Sequence, residues 1–355
     1  MDDAGPIEVV SRPGDRPPRL PGKVVVRDHA AEAADALAAS APADSLAAAL
    51  ASFHHAWHRL ALFDQTGAGE LHAQALAAFE RHHYTPGIDR LRVVKALILL
   101  RAGDSGAALA ALDEPTRSNE EEPLAEARYV ALNIRALCYG DLGDLDNAMR
   151  SFAAALTAAR QTGIPVFAAN ALGNFGGFHA DIHNFEDAER MCREAFALAD
   201  VAGARAPWVT SGTNWMLSLF FLGRPAEARD VALQLLAREA WLLPAKRSAY
   251  FTKFAAVFLH AGDLAEAAAF LDRAEVVADP GVTLRTVEWY WVCAEVRNAQ
   301  GRHAEAFELC RQAIESGSDF DQVSLPTDLM RLYNAATQAA EALGDFRSAL
   351  HFKKE

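Results

Sequence analysis

From about residue 90 onward the chain is a succession of amphipathic segments separated by short polar turns. Val130–Leu142 and Leu145–Ala159 make one consecutive pair; Leu264–Val277 and Trp289–Gln300 are further examples. Each runs for roughly 15–20 residues, with apolar positions three and four apart, the spacing of one face of an α-helix. Alanine and leucine dominate and runs of β-branched residues are few, so intrinsic propensity points the same way. The pattern predicts an all-α fold.

The turns repeat. "GDSGAA" begins at Gly103, "GDLDNA" at Gly143, "HNFEDA" at His183, "GRPAEA" at Gly223, "GDLAEA" at Gly262, "GRHAEA" at Gly301 and "GDFRSA" at Gly344. Their first positions, 103, 143, 183, 223, 262, 301 and 344, are separated by 40, 40, 40, 39, 39 and 43 residues. Fixed-period self-similarity of this kind marks a repeat architecture. Glycine at the first position suits a left-handed residue that ends one helix. The polar residue that follows can cap the next. The sixth position is always alanine (Ala108, Ala148, Ala188, Ala228, Ala267, Ala306, Ala349), small enough for the second helix to approach the first. Other breaks are also marked: Gly163-Ile164-Pro165, Gly203 to Pro207, Asp279-Pro280-Gly281 and Ser316-Gly317-Ser318. The unit is a helical hairpin of about 40 residues, stacked on its neighbours.

On these residues the chain resembles the tetratricopeptide repeat (TPR) family, whose Gly-x-aromatic/Leu-x-x-Ala turn joins helix A to helix B. Seven residues before the turn the family has a small residue, and here stand Ala96, Ala136, Gly176, Ala255 and Ala294, with Met216 and Thr337 departing from the pattern. Tyr139 and Phe258 match the large residue four before it; Ala155, Ala195, Ala274 and Ala313 match the alanine twelve after it. The resemblance covers about Arg90 to Glu355 and implies a right-handed superhelical solenoid of stacked antiparallel hairpins, with helix A lining a concave groove. The expected organisation is a disordered Pro-rich tail over 1–28, a degenerate N-terminal capping hairpin over 29–85, and about seven repeats over 86–355, the last truncated.

One segment departs from good helical sequence. "NALGNFGGFHADIHNFEDA", from Asn170, carries Gly173, Gly176 and Gly177 within five residues. Each costs about 1 kcal/mol of helix propensity relative to alanine. Gly176 falls on the small position between helices A and B; the other two imply close backbone approach or room for a ligand. Asn174, Asn214 and Lys253 all lie nine residues before their turns. By the resemblance that position faces the groove, where an asparagine, donor and acceptor together, bonds an extended peptide backbone. Asn170, Thr213, Tyr250, Glu288 and Glu295 lie on or near the same face, and Lys253 favours a carboxylate in the ligand. The expected ligand-binding set is therefore Asn170, Asn174, Thr213, Asn214, Tyr250, Lys253, Glu288 and Glu295. The competing reading is a solvated wall with no ligand.

The 355-residue chain has a net charge of −13 and no block of Lys and Arg, which argues against nucleic-acid binding. No apolar run reaches membrane-spanning length, and four scattered cysteines without a CxxC read as reduced, buried thiols in a cytoplasmic protein. His54 and His58, and His179 and His183, have metal-pair spacing but lack a third ligand, so no metal and no cofactor are expected. "NEEEP" from Asn119 reads as an acidic helix start, and no catalytic constellation is visible. The expected function is a non-enzymatic module that binds a peptide, a protein segment or a small ligand, with self-association left open. The long-repeat style resembles the sensory region ahead of GGDEF diguanylate cyclase domains in bacterial signalling proteins, which implies an output domain beyond Glu355. The alternatives are the peptide-binding domain of a transcription regulator and a stand-alone adaptor.

Overall fold

The computed structural model describes residues 29–42, 44–61, 64–113, 125–276, 286–315 and 326–353. The expected tail over 1–28, the acidic "NEEEP" stretch and the breaks at 279–281 and 316–318 lie outside them. Among the described residues there are helices and turns and no strand.

The helices gather into two compact bodies. One comprises the described residues up to Ala171, with Val201–Gly203; the other comprises Leu172–Asp200 and Ala204 onward. In the first, α1 (His29–Ser40) packs on α2 (Leu46–Ala61). Helix α2 pairs with α3 (Gln65–Arg81), α4 (Thr85–Arg101) with α5 (Ser105–Asp113), and α6 (Ala125–Asp141) with α7 (Leu145–Gln161). Successive first members touch, α2 on α4 and α4 on α6, as stacked hairpins require. The next helix, α8 (Pro165–Asp181), is divided between the bodies at Ala171. The second body continues with α9 (Phe185–Val201), α10 (Arg205–Phe221), α11 (Pro225–Ala237), α12 (Arg247–His260), α13 (Leu264–Val276), α14 (Val287–Ala299), α15 (His303–Glu315), α16 (Pro326–Ala342) and α17 (Phe346–Phe352). Here α10, α12, α14 and α16 stack in order, and α11, α13, α15 and α17 each pair with the helix before them.

The hexamer turn works as its residues dictate. Every first position has positive φ, from Gly103 at 83° and Gly262 at 87° to the single non-glycine, His183, at 61°. The N–H of the second residue then folds back five positions: Asp104 to Leu99 O at 3.0 Å, Asn184 to His179 O at 2.8 Å, Arg302 to Arg297 O at 2.8 Å. This is the Schellman closure, which satisfies a helix-end carbonyl. The second side chain then follows one of three routes, the first at Asn184, whose amide donates to Asp187 Oδ2 at 3.0 Å and meets His179 Nδ1 at 3.1 Å. Asp104, Asp144, Asp263 and Asp345 accept from the backbone N–H three residues on, at 2.8–3.3 Å. Where arginine stands instead, Arg224 and Arg302 pair with the glutamate three residues on, Glu227 and Glu305.

The same closure follows His83 and Gly203, where the sequence carries no hexamer, while after Gly163 the Ile164 N–H donates to Thr162 Oγ1 at 3.1 Å. His83, Gly163 and Gly203 have φ of 52°, 69° and 61°. The left-handed positions 83, 103, 143, 163, 183, 203 and 223 thus fall on a 20-residue grid. Each of α3, α4 and α6 to α10 is 17 residues long, followed where described by a three-residue turn. The 40-residue repeat is two such halves. The grid ends after α11, where two single-turn 3₁₀ segments, Glu239–Trp241 and Pro244–Lys246, replace the turn.

The core is built from small residues. The sixth-position alanines are all buried, as are Ala96, Ala136, Ala255 and Ala294 seven residues before the turn. At Gly176 the contact leaves no room for a side chain: a Cβ there would lie 2.5 Å from Cys192 Sγ and 3.2 Å from its backbone N. Met216, which breaks the small-residue pattern, is fully buried, and the residue nine past the next turn, the register of Cys192, is there reduced to Ala232, also fully buried. All four cysteines are free and buried. Burial pushes the thiols of Cys192 and Cys310 up to about 12 and that of Cys138 up to about 11.

Gly176→Ala and Gly69→Ala are expected to shift stability in opposite directions. At Gly69, within α3, an added Cβ meets nothing within 4 Å, so alanine should stabilise by up to about 1 kcal/mol through helix propensity. At Gly176 the same change overpacks the α8–α9 contact and should cost about 1–3 kcal/mol. Urea unfolding of the two variants measures both.

Candidate functional site

The expected ligand-binding residues divide into three groups. Asn170 lies on the portion of α8 belonging to the first body, exposed, and its side chain hydrogen-bonds the buried Tyr129 hydroxyl, whose pKa burial raises. Thr213 and Tyr250 are buried: the Thr213 hydroxyl donates to Val209 O at 2.8 Å within its own helix, and burial raises the Tyr250 phenol. Thr213 and Tyr250 sit off the polar face that the register predicts, whereas Asn170, 13 residues before its turn, is exposed and belongs to the first body. Asn174, Asn214, Lys253, Glu288 and Glu295 are half-buried on the second body, where α8, α10, α12 and α14 supply them.

The two glycines that drew attention on α8 face α10. A Cβ on Gly177 would lie 2.8 Å from Asn214 Nδ2, and one on Gly173 would lie 3.6 Å from Ser211 Cβ. The lost helix propensity is exchanged for close stacking of two first-position helices, and the Asn214 amide rests over Gly177 backbone. The polar ladder then stops. Nine residues before the last two turns stand Val292 and Ala335, both buried.

Lys253 does not present a free cation, contrary to the expectation that it would favour a ligand carboxylate. Its Nζ pairs with Glu288 of the next helix, and the two side chains are 22% and 19% exposed. Beside this pair stands Asp328 of α16. Trp291 Nε1–H donates to Asp328 Oδ1 at 2.9 Å. Burial, and then the charge of Glu288, hold the Asp328 carboxyl above the usual range, against the opposing pull of Trp291, Lys253 and Arg331.

A second charged group lies one to two turns further along the same helices. His260 Nε2 is 2.9 Å from Glu295 Oε2, and Arg331 Nη1 is 3.6 Å from Glu295 Oε1. The Arg331 guanidinium lies over three ring faces: Phe220 at 4.6 Å, Trp291 at 4.9 Å and Phe221 at 5.6 Å. These rings come from α10 and α14, so one side chain of α16 reaches the face of a helix three layers away in the stack. The faces of α10, α12, α14 and α16 therefore converge. Next to Arg331 opens a cavity of about 440 Å³ lined by Glu295, Met330, Arg331, Asn334, Thr337, Gln338, Glu341 and Lys353. Asn334 and Gln338, four apart on α16, are exposed to it.

The α16 residues escape a reading anchored on the nine-before position. The signal is nonetheless present in other registers. Arg331 lies 13 residues before its turn (344 − 13), as Glu288 does (301 − 13), and Gln338 lies six before, as Glu295 does (301 − 6). No three His, Cys, Asp or Glu side chains among the described residues are grouped to hold a metal. His179 is buried and meets Asn184 through Nδ1 at 3.1 Å, while His183 stacks on Phe185.

Asp328→Asn is expected to stabilise the protein at neutral pH and to have little effect near pH 3. A carboxyl whose folded pKa exceeds its unfolded value binds protons preferentially in the native state. Its contribution therefore falls as pH rises from the unfolded pKa through the folded one, and stays lost above. Asparagine still accepts the Trp291 N–H and carries no charge to desolvate. Thermal unfolding of both proteins across pH 3–8 reads the difference.

Residues 129–162, spanning most of α6 and all of α7, match the tetratricopeptide repeat family model. No curated protein matches the chain. Among solved structures, Rap protein complexed with competence and sporulation factor aligns with a TM-score of 0.57 at 12% identity, over 87% of this chain and 96% of that one. The apo quorum sensor NprR from B. thuringiensis aligns at 0.56 and 12% identity over 85% and 96%. NprR in complex with its cognate peptide NprX aligns at 0.54 and 12% over 80% and 83%. At this identity the likeness is one of fold. Residues 129–162 thus resemble a tetratricopeptide repeat by sequence, and each body is built, as in these all-helical structures, from stacked antiparallel hairpins.

Proposed function

We propose that the chain is a non-catalytic binding module that takes an extended peptide, or a protein segment in extended form, along the converging faces of α10 to α16. The observation that carries this is the cavity of about 440 Å³ beside Arg331, flanked by the exposed amides of Asn334 and Gln338. A primary amide bonds both groups of a peptide unit. Asn174, Asn214, Lys253, Glu288 and Glu295 extend the same polar wall. A peptide-bound solved structure of like fold, NprR in complex with its cognate peptide NprX, supports a peptide as ligand. A sensory or regulatory role extends that reading; a diguanylate cyclase output does not follow from it and rests only on the resemblance in repeat style.

Panning a displayed library of unstructured heptapeptides against the chain should enrich a defined sequence class. Asn334→Ala combined with Gln338→Ala should then weaken the enriched peptide by roughly 5- to 150-fold, two hydrogen bonds at about 0.5–1.5 kcal/mol each. Thermal stability should hardly change, because both side chains are exposed. Asn174→Ala with Asn214→Ala should weaken binding by a similar factor. Failure to enrich any peptide, or enriched peptides that bind the first double variant undiminished, would sink the proposal.

A further inference from the structure

The aromatic cluster under Arg331 is built to hold a guanidinium, and the group now in it belongs to the chain itself. Three rings, Phe220, Phe221 and Trp291, lie within 6 Å of the Arg331 guanidinium carbon, and Glu295 supplies a carboxylate at its edge. Stacking on ring faces suits the planar guanidinium better than a compact, strongly hydrated ammonium.

Three features set this arginine apart from a fixed strut. Its ion pair is loose: 3.6 Å to Glu295 exceeds a hydrogen bond, whereas Arg224 grips Glu227 through two contacts of 2.6 and 2.7 Å. The side chain is 20% exposed and forms one wall of the 440 Å³ cavity, so it has space to leave the rings. The surrounding charge is unbalanced as well. Glu288, Glu295 and Asp328 face only two permanent cations, Lys253 and Arg331, with His260 beside Glu295 as the titratable sixth group. One incoming cation brings the carboxylates and the permanent cations level.

Taking the peptide-binding reading as its premise, we infer that the Phe220–Phe221–Trp291–Glu295 cage is the specificity pocket for an arginine side chain of the ligand, and that Arg331 occupies it as an internal stand-in until the peptide arrives. Exchange of one guanidinium for another leaves the ring contacts filled throughout. The displaced Arg331 turns into the adjoining cavity. Selectivity follows from the same geometry: lysine lacks the planar face, and citrulline has the shape without the charge.

Removing the stand-in tests this. Arg331→Ala should be stabilised against heat by millimolar methylguanidinium, with methylammonium and urea at equal concentration giving no comparable rise, and the wild type should show little response to any of the three. An arginine-centred heptapeptide should bind Arg331→Ala at least tenfold tighter than it binds the wild type, by calorimetry, and its citrulline counterpart should bind neither. Arg331→Gln, which keeps a polar stem but loses the cation, serves in the same assay if the alanine variant does not fold. The inference is overturned if methylguanidinium stabilises the variant no more than the wild type, or if arginine and citrulline peptides bind alike. Peptides lacking arginine that nevertheless bind through Asn334 and Gln338 would overturn it while leaving the binding module intact.

Discussion

A backbone N–H that reaches back five residues to a helix-end carbonyl governs the rest of the structure. It closes every hexamer turn, with the residue before it in the left-handed region. Because the closure needs only that backbone shape, the side chains around it are free to vary. Glycine is the least strained occupant, yet His183 takes the same conformation. The capping residue is interchangeable too: an aspartate accepting a backbone N–H and an arginine forked onto glutamate both follow the closure. What the turn does not tolerate is a change in length. Holding it at three residues sets each 17-residue helix against the next in constant register, and the small residues recur where the helices touch.

Register in turn places the chemistry. Residues 13, nine and six before each turn fall on one side of the first-position helices, and the second body brings four such helices together. Lys253 and Glu288, then His260, Glu295 and Arg331, bridge neighbours in that stack. Each pair is partly desolvated, which makes its geometry matter more than a surface ion pair does. The converging faces are therefore a pre-arranged polar surface with an aromatic floor.

The hairpins were legible because a 40-residue period with an invariant alanine has no competing explanation. The half-period was hidden, since His83, Gly163 and Gly203 share a backbone shape and no common sequence. Gly176 was legible as a packing position from its register alone. Thr213 was not legible as a buried residue, because its hydroxyl satisfies itself on its own helix and periodicity does not see that hydrogen bond; Tyr250 was not, because a tyrosine ring buries as a large apolar body. Lys253 illustrates a different limit. Its position on the polar face followed from register, but its partner Glu288 lies 35 residues away, and whether a cation is free depends on the neighbouring layer. Arg331 was further still from view, because what distinguishes it is contact with a helix three layers off.

The four buried thiols have a practical meaning. Cys138, Cys192, Cys293 and Cys310 sit on α6, α9, α14 and α15, each sealed under packed neighbours and, for three of them, held protonated at ordinary pH. A thiol in that state reacts only when its own layer opens. The chain therefore carries four natural stopwatches along its length, able to time the breathing of individual hairpins without a single introduced label.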